Sequence, residues 1–367
     1  MNNTFDESIN YLKSSPVFAM SLGSKELFHS NFWAWIIEQE YGKEFIHVFF
    51  PNFVLEQFDK CEREDKNRDL VIYDKNGKQY IIENKIKSYP NKKQLEDYEK
   101  ETGESFAFGV ITGLIEPPFI PGEKWRFVSY SNIANKIQAI ISRAESQYDK
   151  DLLTDYLNVL NNINNLMQLA LNETDGRLSY WTENIDKFYK IRMMDVFRKL
   201  KADTFATKCK DIETKFDELA KRHIGWEFYI SRSFHNGKAT LSFELLKYID
   251  EKYKGEIGVQ IEDNQFRLFL GLAEGSSKKV DVIFNVGIDV GWFDSSFNKK
   301  SNRKVFGYIS SMSKNPCSYS GRWVYQYFDT WTKSGQNLQN YETLKQILDD
   351  YLSKAISLLD ILDTKLF

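Results

Sequence analysis

The stretch RDLVIYDKNGKQYIIENKI, Arg68 to Ile86, constrains the fold more than any other part of the chain. Arg68–Asp74 and Gln79–Lys87 are both rich in β-branched and aromatic residues, and Lys75-Asn76-Gly77 between them reads as a turn, so the spacing predicts a β-hairpin. The second strand carries Glu83 and Lys85 in an otherwise apolar run, and alternation points both to one face. Asp69 on the partner strand is the third charged group, and register decides whether it joins them. A two-residue Asn76-Gly77 turn pairs Asp69 with Asn84 and turns it away. A three-residue loop with Gly77 left-handed pairs Asp74 with Lys78 and Asp69 with Glu83, on the face of Lys85. The three-residue loop is favoured because it also gives Val71 and Ile81 that face. The three groups then form either a buried ion cluster or a site in which a cation relieves two repelling carboxylates. Oxygen donors in this number suit Mg²⁺, which keeps waters and phosphate oxygens in its other positions.

The surrounding pattern supplies partners for the hairpin. Ser24–Tyr41 has helical spacing at Leu27, Phe28, Phe32, Trp35 and Ile36, with Ser24 as its cap. Val54–Glu64 alternates as a strand. Pro90–Glu101 reads as a short exposed helix, Phe106–Thr112 and Trp125–Ser129 as strands, and Asn132–Glu145 as a helix. This order implies a mixed sheet flanked by helices, an α/β (α+β) arrangement. Helical patterns follow over Asp151–Leu171, Thr182–Lys201 and Phe205–Lys221. A strand-rich stretch runs from Gly225 to about Phe328, and Tyr341–Leu362 closes the chain as a helix. The expected division is 1–146, a helical region 147–222, and a strand-rich region 223–367 with its closing helix. The polar cluster Asn172–Gly176 is a candidate boundary.

Composition excludes several classes. With 28 Phe, 20 Tyr and 8 Trp in 367 residues the chain can bury a sizeable core and is not disordered. Three scattered cysteines give no disulfide framework or thiolate zinc site. The polar N-terminus is not a signal peptide and no apolar run spans a bilayer, so a cytoplasmic protein with no membrane partner is expected. Residues 1–170 hold 19 Lys+Arg against 25 Asp+Glu, and residues 171–367 hold 30 against 27. Neither half is a broad basic surface, which argues against tight nonspecific nucleic-acid binding.

Taken together, RDLVIYD and YIIENKI resemble the PD-(D/E)XK nuclease superfamily, in which a strand Asp and a Glu-x-Lys on the next strand form the metal site. QLEDY, Gln94 to Tyr98, is similar to the Gln-x-x-x-Tyr element of its RecB-like branch, and SKELFHSNFWAWIIE resembles the opening helix of a bacterial subset. The resemblance covers about residues 20–130 and implies a restriction-endonuclease-like αβββαβ core; Arg68 replaces the family's proline. It implies that Asp69, Glu83 and Glu26 bind Mg²⁺ (Mn²⁺ substituting) with the backbone carbonyl of Asn84, that Lys85 positions the attacking water, and that Gln94 and Tyr98 support the site and the nucleic-acid end. Lys87 and Lys92 flank it and are candidates for phosphate contact, Lys93 less so, and His29 is a candidate neighbour of the cleft. The implied partner is nucleic acid, DNA before RNA, in a defence or processing role, with a homodimer or protein partner held through residues 172–367. The rival is a catalytically silent binding module on the same fold. The segment FNKKSNRKVFGY, Phe297–Tyr308, mixes basic and aromatic residues and suits either phosphate contact or a polar hairpin loop.

Overall fold

The computed structural model describes residues 3–90, 92–117, 120–177, 182–235, 238–262, 265–273, 280–293, 302–305, 309–312, 317–319, 322–329 and 340–367. They fall into two units, residues 1–173 with 181–200, and residues 174–180 with 201–367.

The first unit is built on a five-stranded sheet ordered β1-β2-β3-β4-β5: β1 Phe58–Asp65, β2 Arg68–Asp74, β3 Gln79–Asn84, β4 Phe106–Gly113 and β5 Trp125–Ser129. The first three strands are antiparallel neighbours, and β3, β4 and β5 run parallel. The parallel half needs crossovers, which is why a helix lies between β3 and β4. The helices are α1 Phe5–Ser14, α2 Pro16–Ser21, α3 Leu27–Glu38, α4 Ile46–Phe49, α5 Lys92–Thr102, α6 Tyr130–Ile140, α7 Gln147–Glu173 and α8 Glu183–Lys190, followed by α9 Met194–Lys208, whose first residues belong to this unit.

The hairpin adopts the three-residue register. Val71 faces Ile81 and Tyr73 faces Gln79, so the ladder continues outward to Asp74 opposite Lys78. Asp74 sets this turn: its N–H donates to the Lys78 carbonyl at 3.0 Å, and its Oδ1 accepts from the N–H groups of Asn76 and Lys78 at 2.8 and 2.9 Å. Gly77 has φ +76°, the left-handed geometry the loop requires. One sheet face packs Val71, Ile81, Phe106, Ile111 and Trp125 against Leu95 and Tyr98 of α5.

Several elements differ from expectation. The helix read from Ser24 starts at Leu27, with the Ser24 hydroxyl accepting from the Leu27 N–H at 3.3 Å. α5 is not merely exposed, because Leu95 and Tyr98 are buried. Helices α1 and α2 were not foreseen, although Thr4 and Glu7 make a reciprocal capping box in the polar N-terminal segment. The run from Thr182 to Lys201 is two helices, broken at Arg192, which has φ +56°.

The second unit carries α10 Lys210–Ala220, α11 Val280–Asp289 and α12 Tyr341–Lys365 with an antiparallel sheet. Its strands are β6 Trp226–His235, β7 Lys238–Ile249, β8 Lys252–Glu262, β9 Gln265–Leu272, β10 Asn302–Val305, β11 Ile309–Met312, β12 Cys317–Tyr319 and β13 Trp323–Asp329, ordered β10-β11-β13-β9-β8-β7-β6 with β12 on β13. Period-2 alternation turns Leu241, Phe243 and Leu245 of β7 and Ile257 and Val259 of β8 toward Leu344, Leu348 and Leu352 of α12. α11 is a helix inside the stretch read as strands. The basic segment Phe297–Tyr308 lies outside the described residues, apart from the backbone of β10. No described helix is long and apolar enough to cross a membrane.

Candidate active site

β2, β3 and the residue that follows β3 deliver Asp69, Glu83 and Lys85 to one place. The Lys85 ammonium lies 2.7 Å from Glu83 Oε1, and both side chains are almost wholly withdrawn from water, at 11% and 2% exposure. The Asp69 N–H approaches Glu83 Oε2 at 3.5 Å, and Asp69 Oδ2 accepts from the Asn84 N–H at 2.7 Å. Burial and the neighbouring Glu83 charge push Asp69 up to about 7, against its ordinary 3.8. Burial also raises Glu83, offset in part by Lys85. Burial opposes the Lys85 charge, yet Glu83, Glu26 and Asp69 together hold its ammonium above the ordinary lysine range. Two acids that resist simultaneous ionisation, beside a lysine bonded to one of them, make an electrostatically frustrated cluster.

Asn84 is locked by its side chain. Its Nδ2 donates to the Glu26 carbonyl at 2.8 Å, and its Oδ1 accepts from Thr112 Oγ1 at 3.0 Å and Tyr130 OH at 2.7 Å. Glu26 sits at the N-terminal end of α3, where its Oε1 accepts from the N–H groups of Lys87 and Ser88 at 2.9 and 2.7 Å and from Ser88 Oγ at 2.8 Å. It thereby anchors the segment leaving β3, and its charge still reaches Asp69 and Glu83, raising both. Among the described residues no three His, Cys, Asp or Glu side chains stand together at metal-binding distances.

α5 brings Gln94 and Tyr98 to the same site, one turn apart on one face. Gln94 Nε2 donates to Glu83 Oε1 at 3.3 Å and to Tyr98 OH at 2.6 Å, and Tyr98 OH donates to the Asn67 carbonyl at 2.7 Å. Lys87 is exposed and 3.9 Å from Asp195. The Lys92 side chain lies outside the described residues. His29 is buried in the core, its Nδ1 2.8 Å from Tyr156 OH, and burial pushes its imidazole down to about 3. It is a neutral packing residue.

Lys199 joins the site without any local signal. From α9 its ammonium donates to the Lys85 carbonyl at 2.5 Å and lies 5.4 Å from the centre of the Tyr89 ring. Four residues earlier, Asp195 takes the Lys25 ammonium at 2.5 Å. A separation of 114 residues between Lys85 and Lys199 leaves no local pattern to read.

The model of a family in the PD-(D/E)XK nuclease superfamily matches residues 17–158. No curated protein and no solved structure matches the chain.

Proposed function

We propose that the first unit, which over residues 17–158 carries a domain of the PD-(D/E)XK nuclease superfamily, is a divalent-metal-dependent nuclease that hydrolyses phosphodiester bonds, DNA before RNA. The observation that carries the reading is the meeting of Asp69 and Glu83 on one strand face with Lys85 2.7 Å from Glu83. The donor set fits a hard cation: two carboxylates whose charges oppose each other gain from a cation between them, and two suffice for an ion that keeps water and phosphate oxygens as its other ligands. Asp69 and Glu83 would hold Mg²⁺, or Mn²⁺ in its place, with the Asn84 carbonyl and with Glu26 as the additional acid. Bound there, the ion supplies an acidified water and charge neutralisation at the phosphate.

The chain's own residues do the positioning. The Asn84 N–H fixes the Asp69 carboxylate, and Gln94 and Lys85 fix that of Glu83. Lys85 is bonded to Glu83 Oε1 at 2.7 Å, beside the carboxylates that would hold the ion. From there it would orient the attacking water and stabilise charge developing on the phosphate. The attack is in line, with no covalent enzyme intermediate. Gln94 and Tyr98 would support the strand end, as in the RecB-like branch that the Gln-x-x-x-Tyr spacing resembles, with Lys87 and Lys92 as candidates for phosphate contact. The second unit, with residues 223–367 as its strand-rich part, selects a substrate or a partner, and a role in prokaryotic or phage defence accords with a nuclease that is not broadly basic.

Calorimetric titration of Mg²⁺ and Mn²⁺ into the wild type and Glu83→Ala tests this, with labelled linear and circular DNA and RNA digested in parallel. Metal binding and cutting by the wild type, both lost in Glu83→Ala, is the expected result. If neither protein binds metal, the cluster is an ion pair on an inherited scaffold.

A further inference from the structure

α7 presents a second feature beside the cluster. Leu157, Asn161, Asn164, Gln168 and Leu171 recur at spacings of 4, 3, 4 and 3, one stripe of the helix. Apolar residues normally fill such a stripe. Here the middle three positions are amides, in a helix whose asparagines are poor helix formers. The neighbouring stripe explains its own asparagines: Asn162 Oδ1 accepts from Asn3 Nδ2 at 3.0 Å, and Asn165 Nδ2 donates to the Asn3 carbonyl at 2.7 Å. Asn161 and Asn164 have no such side-chain partner among the described residues.

They line a cavity of about 620 Å³ with Gln138 of α6 and with Leu114 and Leu200. No lining residue is charged, in a chain that is 28% charged. A lining that mixes leucine side chains with amide donors and acceptors, and holds no cation, suits a flat, neutral, hydrogen-bonding group rather than a phosphate. The cavity is also tied to the candidate active site. The Lys85 N–H donates to the Thr112 carbonyl at 2.9 Å, and Leu114 stands two residues beyond, just past the end of β4. Leu200 follows Lys199, whose ammonium holds the Lys85 carbonyl.

We infer that this cavity binds a nucleobase, with Asn161, Asn164 and Gln138 reading its edge and Leu157 and Leu171 packing on its face. The site deepens the nuclease reading by giving the substrate an unpaired base close to the bond that is cut. The same chemistry would accept a free nucleoside.

Binding to the full chain in EDTA, where nothing is cut, tests the inference. The probes are the four free nucleosides, a fluorescein-labelled single-stranded 12-nucleotide DNA and its blunt duplex, against wild type, Gln138→Ala, Asn161→Ala/Asn164→Ala and Glu83→Ala. Single strand is expected to bind more tightly than duplex, and the double variant to lose roughly tenfold, the effect of one or two hydrogen bonds. Alanine is the better helix former, so the melting curve must hold and loss of fold cannot mimic the result. If nucleosides saturate the wild type and weaken in the double variant, free ligands enter too. If only the oligonucleotide weakens, the base arrives in the substrate strand. Unchanged binding of every probe overturns the inference, as does a concentration-dependent dimer that the double variant abolishes, because the stripe would then belong to a second copy. Glu83→Ala is also assayed separately for cleavage with metal; if it still cuts, the nuclease reading falls and the cavity result stands.

Discussion

Replacing Asp69 with Asn should make the metal-free protein more stable while abolishing its activity. Asp69 titrates at about 7 in the fold against an ordinary 3.8, because of burial and the Glu83 charge. The folded state therefore keeps a proton that the unfolded chain releases, and stability contributed by this group is lost as pH rises from about 4 to about 7. At about 1.4 kcal/mol per pH unit, the loss relative to a neutral side chain grows by roughly 3 kcal/mol between pH 5 and pH 8. Asparagine carries no charge over that range and can still accept the Asn84 N–H. Urea denaturation in EDTA at pH 5, 6, 7 and 8 should show Asp69→Asn gaining on wild type with each step. Saturating Mg²⁺ should narrow the gap at pH 8, since a ligand at 100 times its Kd adds about 2.7 kcal/mol to the protein that binds it, against a full deficit of about 4 kcal/mol. A wild-type-minus-variant difference that stays flat from pH 5 to pH 8, or a variant less stable than wild type at pH 8, refutes the account of two opposed acids.

Three further outcomes are expected. Lys85→Met leaves Glu83 buried beside Asp69 without its cation, so stability at pH 8 should fall by about 3 kcal/mol and less at pH 5, measured by the same titration, and cleavage should be lost. Asn84→Ala removes bonds to Glu26, Thr112 and Tyr130; calorimetric melting should show a loss of about 2–4 kcal/mol, since the buried Thr112 and Tyr130 hydroxyls lose their acceptor, while the Glu26 carbonyl keeps the N–H groups of His29 and Ser30. Gly109→Ala puts a methyl 2.4 Å from the Trp125 ring, and chemical denaturation should show at least about 1–3 kcal/mol of destabilisation from overpacking, with metal binding retained in the molecules that remain folded.

What was legible in the sequence was local or periodic. Alternation in RDLVIYD and YIIEN placed two strands, and the Asn-Gly turn with the Val71–Ile81 pairing chose the register now seen. Gln94 and Tyr98 stand out through the resemblance of QLEDY to the Gln-x-x-x-Tyr element, and helical spacing puts them on one face. Contacts that cross the chain were not legible. Nothing near Lys199 announces the Lys85 carbonyl, and Glu26 could be read as an acid near a helix start but not as the group that grips the backbone of residues 87–88. His29 is by spacing alone only a candidate neighbour of the cleft, and its Nδ1 lies 2.8 Å from Tyr156 OH, the hydrogen-bonded core histidine that a lone His more often is. The N-terminal helices were missed although Thr4 and Glu7 spell their cap, because the segment's polarity hid its few apolar anchors, Phe5, Ile9 and Leu12.

The turn at Lys75-Asn76-Gly77 has a reach beyond its size. Asp69 lies five residues back along β2, about 17 Å from the bend that decides which way it points. A relative with this loop one residue shorter could keep Asp69, Glu83 and Lys85 letter for letter and never bring them together. Its sheet would form, its motif would score, and it would cut nothing. Among relatives of this domain, the length of that loop and the acid at position 74 that shapes it are a sounder test of a live enzyme than a count of its signature residues.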